Sequence, residues 1–240
     1  MFRMLRTLHS ALALVALIAF TASCGSSSGT KFRLVNAIPD SPPQTVDVLI
    51  DGKTVESAVS FGSVTPSSSY LAVSSGSRKL EVRPTGQTTD WINSNVSFNG
   101  GSDYTIVATG YVSSNTVAAP LLTDNSTAPT SGNAALRIIQ ASPEGLGSVQ
   151  NQAVDIYVVA PGGGLGSSPD IPNVAYQAAS AYKTLPAGTY DLLLTPAGIP
   201  SINITIPSVS FSSGKVYTYV LIDVSGGGAM SQNPVVLNDN

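Results

Sequence analysis

Apolar and polar residues along this chain partly alternate with the two-residue period of a half-buried strand, and Gly, Pro, Ser and Asn clusters interrupt them at short intervals. The runs Lys31–Ala37, Val46–Ile50, Ser69–Val73, Lys79–Arg83, Asp103–Tyr111 and Val117–Leu122 are rich in β-branched and aromatic residues and predict strands. Between them stand Asp51-Gly52, Ser75-Gly76-Ser77, Pro84-Thr85-Gly86 and Asn99-Gly100-Gly101. Asp51-Gly52 suits a tight hairpin, because Gly adopts positive φ without a Cβ clash. No window beyond the first 23 residues carries a helical stripe.

The same series then recurs. Phe32-Arg33-Leu34-Val35-Asn36-Ala37 returns as Leu136-Arg137-Ile138-Ile139-Gln140-Ala141, and Val46-Asp47-Val48-Leu49-Ile50 as Val154-Asp155-Ile156-Tyr157-Val158. Tyr70, Gly76, Pro84 and Gly86 correspond to Tyr182, Gly188, Pro196 and Gly198, and Tyr104-Thr105 to Tyr217-Thr218. The ends agree too: Pro120 to Asn125 resembles Pro234 to Asn240, which makes the C-terminal tail a last strand. About seven short strands per copy predict an all-β chain of two tandem immunoglobulin-like antiparallel β-sandwich domains, with a barrel as the alternative. The first sandwich spans residues 31–126, the linker 127–133 and the second sandwich 134–240. The second copy differs mainly by a longer loop, Pro161 to Ser168.

Residues 1–23 read differently. Arg3 and Arg6 precede the apolar run Ala11 to Phe20 and the small residues Thr21-Ala22-Ser23, the order of a secretory signal peptide. The apolar run is about half the roughly 20 residues a membrane span requires. Cys24 follows, then the Gly/Ser tether of residues 24–30. This arrangement resembles the bacterial lipobox, departing from it where Thr21 replaces the usual Leu. The resemblance implies that Cys24 becomes a lipidated N-terminus and anchors the chain to a membrane. Gly25 after it, rather than Asp, points to outer-membrane or surface placement. An ordinary cleaved secretory peptide leaving a free thiol is the alternative.

Composition narrows the chemistry. Charged residues make up 10% of the chain, against about 25% in an ordinary soluble domain. Beyond residue 23 the basic residues number nine and the acidic residues fourteen, a net charge of −5. Such a surface does not collect phosphates by counterion release, so nucleic acid is excluded as a partner. The sole histidine, His9, and the sole cysteine, Cys24, leave no imidazole and no second thiol for the sandwiches. Ser-His-Asp and Cys-His mechanisms and His/Cys metal sites are thereby excluded, and no cofactor is expected.

The string "RLVNAIPDSP", "VDVLIDG" and "YTIVATG", repeated as "LRIIQASPE", "VDIYVVAPG" and "YTYVLID", resembles the bacterial family called domain of unknown function 4397. The resemblance covers nearly all of the chain after the tether. It implies β-sandwich modules on secreted and surface proteins and supplies no reaction or substrate.

Four candidate features remain. Ser180-Ala181-Tyr182-Lys183 fits the S-x-x-K pattern, whose chemistry needs both side chains one helical turn apart; here the segment reads as strand. Gly25 to Gly29 formally fits G-x-S-x-G without a preceding strand or a histidine. Asp40, Asp47 and Asp51 are a weak Ca²⁺ candidate. Against it, Asp40 suits an Asx turn beside Pro39, and Asp47 suits a solvent-facing position. Trp91, with Tyr111 or Tyr70, could stack a sugar ring, although a Trp in such a loop more often closes the end of a core. The sequence therefore predicts a non-enzymatic, lipid-anchored envelope protein with a structural or adhesive role toward an envelope protein or polysaccharide. The alternatives are a carbohydrate-binding surface lipoprotein and, remotely, a hydrolase working without histidine.

Overall fold

The computed structural model describes residues 29–147 and 149–240. Cys24 and the signal and lipobox features lie outside the described residues. The first module contains β1 (Lys31–Ala37), β2 (Thr45–Ile50), β3 (Lys53–Ser60), β4 (Val64–Thr65), β5 (Leu71–Ala72), β6 (Gly76–Pro84), β7 (Ile92–Phe98), β8 (Asp103–Thr109) and β9 (Leu121–Thr123). The second contains β10 (Asn133–Gln140), β11 (Val154–Val159), β12 (Ile171–Val174), β13 (Lys183–Pro186), β14 (Gly188–Pro196), β15 (Ile204–Phe211), β16 (Val216–Leu221) and β17 (Val235–Asn238). The expected all-β architecture and the terminal strand are both present. Asp51 (φ 52°) and Gly52 (φ 76°) form the tight turn between β2 and β3 that their sequence demands.

Each module packs two sheets face to face. In the first they are β4-β1-β8-β9, with β5 also on β1, and β3-β2-β6-β7. In the second they are β13-β10-β16-β17 and β12-β11-β14-β15. The purely antiparallel expectation needs one correction. β1 pairs parallel with β8 from Lys31↔Asp103 to Ala37↔Thr109, and β10 pairs parallel with β16 from Ala135↔Val216 to Gln140↔Leu221.

These parallel strands are buried on both faces. Phe32, Leu34, Tyr104 and Ile106 point into the first core, while Leu136, Ile138, Tyr219 and Leu221 point into the second. The intervening residues Val35, Ala37, Val107, Ile139, Val220 and Ile222 form a third cluster between the modules. Burial on both sides explains near-continuous apolar runs such as Leu34-Val35 and Ile138-Ile139. The chain is therefore a stack of four sheets, in which the second module's inner sheet covers the first module's. Among the described residues no helix is long and apolar enough to cross a membrane.

Candidate functional site

The largest concentration of buried polar chemistry lies between the modules, on the inner sheets. Strand alternation places Arg33 of β1 and Arg137 of β10 on the facing surfaces, where they are 4% and 2% exposed. Both guanidinium groups make the same set of contacts. Arg33 Nε donates to Thr105 Oγ1 at 2.9 Å and Nη1 to the Asn238 carbonyl at 2.9 Å; Nη2 meets Asp239. Arg137 Nε donates to Thr218 Oγ1 at 2.9 Å, Nη1 to the Thr123 carbonyl at 2.9 Å and Nη2 to Asp124 Oδ1 at 2.6 Å.

Each arginine thus bonds a threonine of its own module and the last-strand segment of the other. Tyr70 donates to Asp124 Oδ2 at 2.8 Å, and Tyr182 donates to Asp239 Oδ2 at 2.5 Å. Thr105 and Thr218 donate to the same two carboxylates at 2.7 and 2.6 Å. Arg33 lies 4.7 Å above the Tyr70 ring, and Arg137 lies 4.7 Å above that of Tyr182. The arrangement has a pseudo-two-fold axis, with two cations and two anions in balance. Burial, followed by the neighbouring Asp124 charge, pushes the Tyr70 hydroxyl well above its ordinary value; burial also raises that of Tyr182. Both hydroxyls remain protonated donors. A cavity of about 160 Å³, lined by Arg33, Pro66, Tyr70 and Asn238 among others, adjoins the cluster.

The opposite end of the interface is not symmetric. Tyr111 donates to Asp223 Oδ2 at 2.7 Å, and its hydroxyl lies 3.3 Å from Glu144 Oε2. Ser142 Oγ also bonds Asp223, and the Glu144 N–H donates to it at 3.4 Å. Burial raises the Asp223 carboxyl above its ordinary range, with the Ser142 and Tyr111 hydrogen bonds opposing. Gly227 (φ 82°) closes this end: a Cβ there would sit 2.7 Å from the Tyr111 ring. Thr109 Oγ1 adds a 2.6 Å bond to the Ala141 carbonyl across the interface.

The sequence-derived candidates fall elsewhere or take other work. Tyr111 is held by Asp223 and covered by the Gly227 loop. Trp91 packs, half-buried, against the first core, as do Val112 and Val117. Its main-chain N–H donates to Val82 at 2.8 Å. The three carboxylates of the Ca²⁺ candidate do not converge. Asp40 accepts the N–H groups of Val112 and Ser113 at 2.8 and 2.9 Å, a distant loop rather than the local Asx turn expected. Asp47 is likewise not left to solvent. It accepts from Ala58 N, Thr85 Oγ1 and Gly86 N at 3.0, 3.1 and 3.3 Å, binding edge strand β3 to the β6–β7 turn. Asp155 repeats that staple on Asn173 and Gly198. Asp51 is at the far end of β2, accepting from Lys79 N at 2.9 Å. Among the described residues no group of three His, Cys, Asp or Glu side chains could hold a metal ion. Ser180 Oγ donates to the Ala181 carbonyl at 2.8 Å, while Lys183 Nζ lies 3.4 Å from Asp170, so these two side chains serve different partners.

The Arg–Asp cluster was absent from the sequence-derived candidates. Its signal was present: Arg33 stands between Phe32 and Leu34 in β1, and Arg137 between Leu136 and Ile138 in β10.

Comparison with known proteins adds the following. A family model described as a domain of unknown function (DUF4397) matches residues 30–150. The C-terminal domain of AlgF from P. aeruginosa is similar in structure at 11% identity and a TM-score of 0.27, covering 46% of this chain and 99% of its own. A Bacteroides fragilis protein provisionally assigned to cell adhesion aligns at 12% identity and a TM-score of 0.20, covering 88% of this chain and 98% of its own. At these scores neither likeness bears on function. No curated protein matches the chain.

Proposed function

This chain belongs to the DUF4397 family, and we propose that it is a rigid, non-enzymatic presentation unit of the bacterial cell envelope. On this reading the second module is a further copy of the same domain, and lipid on Cys24 holds the pair at a membrane. One observation carries the reading. Two pairs of charged residues that recur in both copies, Arg33/Arg137 and Asp124/Asp239, are spent on each other across the module boundary. Removing one partner from such a buried ion pair costs about 3–5 kcal/mol, so the exchange holds the modules in one relative orientation. A catalytic or hinged site would instead leave polar valences directed into an open cleft.

The absence of histidine beyond His9 supports the non-enzymatic part. The charge-poor, Ser/Thr-rich surface suits contact with envelope protein or polysaccharide. Fractionation of cells expressing the full chain tests the anchoring. Wild-type protein is expected with the membranes and Cys24→Ser protein in the soluble fraction; a Cys24→Ser protein that stays with the membranes contradicts it.

A further inference from the structure

We propose that β7, the free edge of the first module's outer sheet, pairs antiparallel with β7 of a second copy about a two-fold axis through Asn95. The inference goes beyond the envelope reading and does not depend on the lipid anchor.

An exposed strand edge presents unpaired N–H and C=O groups, and proteins blunt such edges with charge, Pro, bulges or brevity. Every other edge among the described residues carries one of these devices. β3 has Lys53 and Glu56, two register shifts and Ala58 at φ 56°. β12 spans four residues, with Pro172 and a register shift. β13 also spans four, with Lys183 and Pro186, and β4, β5, β9 and β17 span two to four.

The second module supplies the internal control. β15 occupies the position of β7 but contains Pro207, Ser208 at φ 55° and a register shift between Tyr190 and Leu192 of its neighbour. β7 has no such feature. Its seven residues, Ile-Asn-Ser-Asn-Val-Ser-Phe, lack charge and Pro and hold unbroken register with β6 from Val82↔Ile92 to Gly76↔Phe98.

The strand is complementary to itself. Ile92, Val96 and Phe98 are buried toward the core, while Asn93, Asn95 and Ser97 are exposed. A two-fold axis at Asn95 sets Ile92 opposite the partner's Phe98, Ser94 opposite the partner's Val96 and Asn93 opposite the partner's Ser97. Inward positions meet inward positions and outward meet outward, as a continuous sheet requires. No like charges oppose each other, although the chain carries a net negative charge. The pairing consumes the free edge of both copies, so assembly closes at a dimer.

The test uses residues 29–240, which contain both complete cores and lack Cys24. Sedimentation equilibrium from about 1 μM to about 1 mM spans the range in which a small interface associates. A reversible monomer–dimer equilibrium without larger species is expected, and Asn95→Pro is expected to abolish it. Asn95→Cys keeps the test independent of any folding defect in the proline variant, because a two-fold at residue 95 brings the paired Cα atoms within disulfide range. Under mild oxidation Asn95→Cys should cross-link about tenfold faster than Ser210→Cys on β15, since pairing raises the local thiol concentration. A protein monomeric throughout, a dimer that survives Asn95→Pro in a folded chain, or equal cross-linking rates at residues 95 and 210 would overturn the proposal.

Discussion

Arg33 donates through Nη1 to the main-chain carbonyl of Asn238 at 2.9 Å, joining the third residue of the first strand to the last strand of the other module. Arg137 repeats the contact on Thr123. The two modules are therefore joined by exchange: each supplies the cation that completes the other's terminal segment. The apolar cluster of Val35, Val107, Ile139 and Val220 excludes water beside it.

Removing one buried partner leaves an uncompensated charge. Asp239→Ala is expected to lower stability by about 3–5 kcal/mol, whereas Arg78→Ala, at an exposed pair with Asp51, should cost under about 1 kcal/mol. Urea denaturation of both variants measures the difference. Calorimetry should also show the single transition of the wild type separating into two for Asp239→Ala, as the modules uncouple.

Asp223 sets a pH dependence opposite to that of the stapling carboxylates. Burial raises its folded value, so the folded protein keeps this proton at pH values where the unfolded chain has released it. The stability associated with the neutral carboxyl is complete below the ordinary aspartate range, about pH 4, and is lost as pH rises through the raised value. Asp223→Asn should remove that decline in a urea-midpoint series from pH 4 to 8. Asp191 behaves inversely. The N–H groups of Gly162 and Ser208 lower its value, so its contribution is present at neutral pH and lost on acidification.

Trp91 is a core residue at the end of the first sandwich. Trp91→Ala should cost about 2–3 kcal/mol, below the range for a fully buried aromatic because the side chain is only partly buried. Thermal unfolding measures this loss. A glycan array with wild type and variant side by side separates packing from sugar stacking, with no Trp91-dependent binding expected.

Much of the fold was legible because turn chemistry and apolar runs coincide. The β1 boundaries, the Asp51-Gly52 turn and the terminal strand all follow from local residues. β3 and β7 do not stand out in the sequence because Lys-Thr-Val-Glu-Ser-Ala-Val-Ser buries only Val59, while Ile-Asn-Ser-Asn-Val-Ser-Phe is interrupted by the exposed run Asn93-Ser94-Asn95. The parallel pairs and the four-layer stack escaped for the opposite reason: burial on both faces removes alternation. Leu34-Val35 and Ile138-Ile139 carried that information, as did Arg33 and Arg137 within the same strands. The role of Asp40 was unreadable because its partners, Val112 and Ser113, lie about seventy residues away in sequence and meet it only through the fold.

Residual dipolar couplings on residues 29–240 in a weakly aligned medium test the rigid two-module unit most directly. Both modules should fit one alignment tensor of equal magnitude and orientation. Separate tensors of different magnitude for residues 31–123 and 133–238 would contradict a fixed clamp through Arg33, Arg137, Asp124 and Asp239.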